Sequence, residues 1–387
     1  MATTKPDLAS EVAHYAATFH DVIGYGHHVA SPLGAWLLLA LAAPAAAGED
    51  AATLARLLGG GAAGAAGQAA DLLAAPHPLV AAAAAVWGHP GALSKDWLAG
   101  LPAAVNRGEV PAQTDLDRWA RDHTFGLIEN FPLRVSRLVD FLFATALATK
   151  VSWAHPFDLA PGSALGGSSP WAGRLGQVLR SPKDSAHMAF IAPTEQAGDV
   201  AVHLARARGG LLVASVIAES EVAPARVLAE AHRIAIAIAT RRPVPRRSLF
   251  DLPLGTAPLW DLREQATGST AGERCVAFLP AWSATSQHDL KDPRLGFAAV
   301  VAALKAGGQW DATQAAMAKY TRIGFEAAAV TAIMRLTAAM PRMGRSRTAE
   351  LRFGHPYAVV AVTEDDNQGP WHGVPVFSAW VARPSEA

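Results

Sequence analysis

KYTRIGFEAAAVTAIMRLTAAMPRMGRSR, Lys319 to Arg347, is the stretch on which the reading of the chain turns. It opens with residues that suit a strand, passes Gly324, and becomes a run of small residues from Glu326 through Ala327, Ala328, Ala329, Val330 and Thr331 to Ala332. It closes on Pro341, Gly344 and the arginines Arg335, Arg342, Arg345 and Arg347, a mixture that suits no regular helix. By propensity alone Ala327 to Ala332 reads as a surface helix, since alanine is the best helix former.

The order of residues favours another reading. Gly324-Phe325-Glu326-Ala327-Ala328-Ala329-Val330 resembles the hinge of the serpins, in which a glycine, a small residue and a glutamate lead into alanines. It precedes His355-Pro356-Tyr357, which is similar to the family's Arg/His-Pro-Phe strand. In that family the segment slides between two strands of a sheet after cleavage, and bulky inward side chains would obstruct it.

Further stretches carry the likeness in the same order. Ser31-Pro32 and the apolar LGAWLLLALA resemble the Ser-Pro-x-Ser signature and its buried helix. Proline fits a first helical turn and serine accepts from its free amides. Glu49-Asp50 with Leu54, Leu57 and Leu58 predicts the amphipathic helix that follows. TDLDRWARDHTFGLIEN, from Thr114 to Asn130, predicts a helix starting on Thr114 or Asp115 and ending near Gly126, similar to the one lying across the family's main sheet. FLFATALATKVSWAHPF reads as a buried central strand and matches the pattern Lys-x-x-Trp-x-x-Pro-Phe with Lys150 and Trp153 in register. CVAFLPAWSATSQHDLKDPRLGF and the two C-terminal strands, expected as a hairpin, complete the set. Residues 27 to 60, 114 to 157, 275 to 297 and 315 to 384 carry the match.

The 387 residues are 51% apolar and 17% charged, enough for a large core. The 33 basic and 33 acidic residues balance, which excludes a general attraction to nucleic acid or anionic membrane. One cysteine, Cys275, excludes an internal disulfide and reads as a buried thiol without chemistry. The N-terminal residues lack an apolar core after Lys5, so no secretory signal is read and the expected placement is cytoplasmic. Leu33 to Ala47 is broken by Pro44 and is too short for a membrane span.

Leu8, Val12, Tyr15, Ala16 and Phe19 predict an amphipathic first helix. AAAAAVWG reads as a strand, 159 to 185 as a loop or short edge strands, and Val200 to Ile217 as a hairpin around Gly209-Gly210. Residues 223 to 239 read as a helix, or as a helix leading into the alternating run RIAIAIAT. Gly59, Gly61 and Gly64 spell GxGxxG, but they follow a helix and precede no convincing one, which argues against a dinucleotide site. Arg241, Arg242, Arg246 and Arg247 read as a solvated loop or charge-guarded edge rather than a polyanion site. His20, His27 and His28 read as polar packing rather than a metal site. There is no HExxH, GxSxG, P-loop or paired CxxC, so no catalytic residue, metal or cofactor is expected.

The resemblance, to a bacterial-type member without signal peptide, implies a mixed α/β (α+β) serpin fold over one domain, 1–387, with an exposed reactive loop at 324–350. A large central sheet, smaller sheets and about eight or nine helices packed around them are expected. It implies a monomeric serine protease inhibitor acting as a suicide substrate: the loop is cleaved, the acyl-enzyme is trapped, and the loop inserts into the main sheet from a metastable native fold. The family's spacing from the hinge places the scissile bond at Ala338-Ala339, whereas counting back from His355-Pro356-Tyr357 gives Arg345-Ser346, and Arg342-Met343 lies between. Ala338 is favoured because the inserted length is what trapping constrains. It points to an elastase-like or subtilisin-like protease, and Arg345 to a trypsin-like one.

Several residues depart from the family's pattern. Phe325 follows the hinge glycine where a hydroxyl residue is usual, and its bulk would strain insertion. Arg322 and Ile323 stand where acidic residues are usual. Gly34, Thr145 and Gln314 replace a serine, an asparagine and a histidine in the polar cluster that controls sheet opening, with Ser31 retained. The alternative reading is a non-inhibitory serpin, a binding or chaperone-like protein whose loop is cleaved as ordinary substrate.

Overall fold

The computed structural model describes all residues except 1–6, 90, 136–139, 150, 268–271, 305–309, 311, 325–343 and 366. They form two compact units, one from residues 1–150, 284–318 and 361–379, the other from 151–283, 319–360 and 380–387.

The first unit holds most of the helices. Leu8–Ile23 buries Val12, Tyr15, Ala16 and Phe19, the stripe that the sequence spacing predicts. Pro32–Ala42 is buried all round, with Ser31 Oγ accepting from the Gly34 amide at 3.3 Å and Pro32 in the first turn. Gly48–Leu58 buries Leu54, Leu57 and Leu58 and ends on Gly59 in the left-handed region. The helix Ala62–Ala74 then corrects the reading of the GxGxxG stretch, since a helix does follow it. Its alanines supply enough helical preference to outweigh Gly64 and Gly67, and Ala65, Ala69 and Leu72 are its buried positions.

The helix Gln113–Asp122 is shorter than expected, because the chain leaves it in turns at 123–127 and Gly126 takes φ +77°. Leu116 and Ala120 pack with Ala85, Trp87, Phe131, Leu142 and Ala144, so this helix covers a three-stranded sheet. That sheet runs in the order Asn106–Gly108, Val80–Gly88, Phe141–Thr149. Phe141–Thr149 is antiparallel to Val80–Gly88 in a register from Val80 opposite Thr149 to Gly88 opposite Phe141. Among the described residues the expected central strand has one strand neighbour, Val80–Gly88. Trp282–Asp289 and Thr313–Tyr320, most of which belong to the first unit, form a separate two-stranded sheet.

The second unit contains a six-stranded sheet in the order Gly255–Thr256, Trp260–Thr267, Gly344–Arg352, Gly272–Leu279, Gln177–Arg180, Asp158–Pro161. The antiparallel strands His187–Thr194, Gly198–Ala207 and Leu211–Ile217 include the expected hairpin around Gly209-Gly210. The whole of Pro224–Ala239 is one helix, which settles the alternating run RIAIAIAT as helical. The C-terminal strands Tyr357–Thr363 and Pro375–Val381 are neighbours, as the polar turn between them predicts. No helix among the described residues is long and apolar enough to cross a membrane.

Candidate functional site

In the first unit a cavity of about 710 Å³ is lined by 141–146 of Phe141–Thr149 and by 313–315 of Thr313–Tyr320, strands that each have one strand neighbour among the described residues. Trp119, Phe131, Phe143, Thr145, Thr313 and Gln314 are among its lining residues. Trp119 and Phe131 are pinned by polar bonds. Trp119 Nε1 donates to Asn106 Oδ1 at 3.0 Å, and the Phe131 amide donates to Asp117 Oδ1 at 2.9 Å.

Of the residues singled out in the sequence, Thr145 and Gln314 line this cavity, and both are bonded to the segment that carries Ser31 and Gly34. Gln314 holds both main-chain groups of Ser31: the Ser31 amide donates to Gln314 Oε1 at 2.9 Å, and Gln314 Nε2 donates to the Ser31 carbonyl at 2.7 Å. Ser31 Oγ donates to the Val376 carbonyl at 2.9 Å, and Thr145 Oγ1 to the Gly34 carbonyl at 3.1 Å. A Cβ on Gly34 would stand 3.2 Å from Thr145 Oγ1 and 3.6 Å from Gln314 Nε2. Residues 31–34 thus tie the strand that carries Thr145 to the strand that carries Gln314.

In the second unit the residues leading into Gly324 are clamped. Gly324 bridges to Ser152 with φ +90°, and a Cβ there would lie 2.2 Å from the Val151 carbonyl oxygen, so only glycine fits. The Trp153 amide donates to the Ile323 carbonyl at 3.3 Å and its Nε1 to the Thr321 carbonyl at 2.9 Å. The Phe157 amide donates to the Arg322 carbonyl at 2.9 Å, and Arg322 Nε returns a bond to the Phe157 carbonyl at 3.1 Å. The Trp153 ring lies 4.9 Å from that of Tyr320 and 5.9 Å from that of Phe157. Phe157 in turn packs on His187 and His203, whose imidazoles burial holds below their ordinary value. Tyr320 and Thr321 were not read as site residues. Their signal was only adjacency to the hinge glycine.

Lys150, Phe325, Glu326, Ala327, Ala328, Ala329, Val330, Ala338, Ala339, Arg342 and Met343 lie outside the described residues. Arg345 and Ser346 are described. They sit in Gly344–Arg352, opposite Ala266 and Gln265 on one side, with Ser346 opposite Gly272 on the other. Cys275 occupies the neighbouring strand, half-buried, and burial pushes its thiol up to about 12, so it stays protonated. Arg247 is engaged with Asp199, and Arg246 lies over the Phe190 ring at 4.3 Å.

Solved structures place the chain in the serpin fold. It is similar to the thermophilic serpin tengpin in the native state, with TM-score 0.63 and 14% identity over 99% of this chain and 96% of that one. It is also similar to Serpin48 of the insect Tenebrio molitor, with TM-score 0.60 and 14% identity over the full length of both chains. A third likeness is to native protease nexin-1 with heparin, with TM-score 0.62 and 14% identity over 97% and 99%. No family model matches the sequence, and no curated protein matches it.

Proposed function

We propose that the chain, read as one serpin domain, inhibits a serine protease as a suicide substrate. The carrying observation is the cavity lined by two strands that each have one strand neighbour among the described residues, with Gly324 four residues past the last residue of Thr313–Tyr320. An unpaired strand edge offers a row of free donors and acceptors, and a segment of small residues pairs with such edges at little steric cost.

The protease serine attacks the carbonyl of Ala338. The bond to Ala339 breaks, the new amine leaves with a proton, and the acyl-enzyme remains on Ala338. Residues from Phe325 onward then pair with the two strands and draw the enzyme along. Gln314 and Thr145 hold those strands until that moment. Arg345-Ser346 suits the role of scissile bond less well, because it is part of a strand with partners on both sides. This favours a protease with a small-residue pocket, elastase-like or subtilisin-like.

The test is incubation with elastase, subtilisin and trypsin, followed by a denaturing gel. The expected result is a band at the summed mass with elastase or subtilisin that survives boiling, and a released peptide beginning at Ala339. A nicked chain with a fully active protease overturns inhibition and supports the non-inhibitory reading, in which Phe325 prevents insertion.

A further inference from the structure

Three polar atoms of the second unit are buried without a partner. They are His203 Nδ1, Ser215 Oγ and the Tyr320 hydroxyl, and none of them makes a hydrogen bond among the described residues. His203 and Ser215 are fully buried, and Tyr320 is 2% exposed. The three side chains belong together. His203 on Gly198–Ala207 stands opposite Ser215 on Leu211–Ile217 in the antiparallel ladder, so both project from one face of the sheet. Phe157 packs against the ring of His203 at 5.4 Å and against that of Tyr320 at 5.7 Å. The Ser215 hydroxyl lies near enough to Tyr320 to offset part of the rise that burial imposes on the phenol, though no bond of hydrogen-bond geometry joins the two.

The neighbouring imidazoles define what the site requires. His187 Nε2 faces the His155 carbonyl at 2.8 Å and must donate. His187 Nδ1 is therefore the acceptor in its 3.3 Å contact with His203 Nε2, which donates. Burial disfavours a charge on His203, so its Nδ1 presents a lone pair that needs a donor. The two hydroxyls need an acceptor for their hydrogens. Left as they stand, three such groups would each carry the full cost of a buried, unmade bond.

The chemistry of the three atoms selects the occupant. An anion would be repelled by the Nδ1 lone pair. A cation would be buried without a carboxylate, since the charged neighbour acting on His203 is His187, of the wrong sign. A water molecule can donate to Nδ1 and accept from both hydroxyls, and three bonds is the usual number for a buried water. We propose that His203, Ser215 and Tyr320 bind one internal water molecule, which joins Tyr320 to the strands Gly198–Ala207 and Leu211–Ile217.

This site stands directly behind the clamp. The Tyr320 ring lies 4.9 Å from that of Trp153, and the carbonyl of the next residue, Thr321, accepts from Trp153 Nε1 at 2.9 Å. A direct bond from Tyr320 to the sheet would hold the residue in one position. A bridging water holds it nearly as well and can adjust with it, because such a bridge is almost as good as a direct bond. The site belongs to the native chain and stands whether or not the chain traps a protease.

Crystallography at a resolution that orders water tests the site, and a density peak within about 2.7–3.2 Å of all three atoms is expected. Hydrogen exchange of the full chain supplies the energetics, read in peptides covering 199–206 and 211–217. Tyr320→Phe and Ser215→Ala should each lower protection about fivefold. The double variant should lower it about as much as either alone, because the water leaves with its first partner. Each of three results overturns the site. One is a structure without the peak, with Ser215 Oγ bonded directly to His203 Nδ1. Another is a rise in protection for Tyr320→Phe, which an unpaired buried hydroxyl would give. The third is a pair of single effects that multiply to about twenty-fivefold, as two separate bonds would.

Discussion

Two regions, around the expected hinge glycine and around the expected sheet-opening residues, are held by different physics. At 151–157 with 320–324, main-chain hydrogen bonds and stacked aromatic rings clamp the chain on either side of Trp153. At 31–34 with Thr145 and Gln314, a few bonds from side chains to main chain do the holding, beside a cavity. Aromatic packing and backbone pairing lose much when one member is cut back. A small polar cluster can exchange partners with an incoming strand at little net cost, because each hydrogen bond is worth only about 1 kcal/mol net. In the proposed mechanism the clamp would serve as a fixed pivot and the polar cluster as a gate.

The largest effect should come from the clamp. Gly324→Ala adds a Cβ that would lie 2.2 Å from the Val151 carbonyl oxygen, at a residue with φ +90°. Left-handed backbone and overpacking together should cost about 3 kcal/mol, read as a lower urea midpoint with unchanged slope. A midpoint equal to wild type would mean that the pivot yields, and the contrast between the regions would fail.

Trp153→Phe comes next. It keeps a ring against Tyr320 and Phe157 but removes the Nε1 bond to the Thr321 carbonyl. Loss of that bond with partial loss of packing should cost about 2 kcal/mol in the same measurement.

The sequence showed these regions unequally. Trp153 was placed by likeness to the family's Lys-x-x-Trp-x-x-Pro-Phe pattern after an apolar strand, whereas Ser31 also carries a signal of its own, because a serine before a proline marks a helix start. Gln314 and Thr145 carry no such signal of their own and were placed only by likeness to a family. What stayed hidden was pairing. Phe141–Thr149 is apolar at both faces, which reads as a central strand, yet among the described residues it has one strand neighbour and a cavity lies beside it. Hydrophobic pattern reports which faces are buried and is silent on which edges are bonded. The helix Ala62–Ala74 was missed for a related reason, since its small residues give almost no amphipathic contrast.

Gln314→Ala tests the polar cluster. It leaves the Ser31 amide and carbonyl without their side-chain partners. Water entering from the cavity should compensate in part, so the expected loss is about 1.5 kcal/mol, below that of Trp153→Phe. A cost above Gly324→Ala would reverse the assignment of pivot and gate.

Gly34→Ser should have the smallest effect and the most informative coupling. The new Cβ would stand 3.2 Å from Thr145 Oγ1 and 3.5 Å from Ser31 Oγ, tight enough that Thr145 must give way slightly. Against that crowding, replacing a glycine inside the buried helix Pro32–Ala42 gains about 0.5 kcal/mol of helix preference. The two nearly cancel, and the single variant should lie within about 1 kcal/mol of wild type. Removing the crowding atom with Thr145→Ala should make the same serine more favourable. The double-mutant cycle should therefore show a coupling of about 0.5–1 kcal/mol, with the serine better tolerated when Thr145 is absent. Zero coupling would mean that Thr145 and residue 34 relax independently, and the polar cluster would then act as separate bonds and not as one gate.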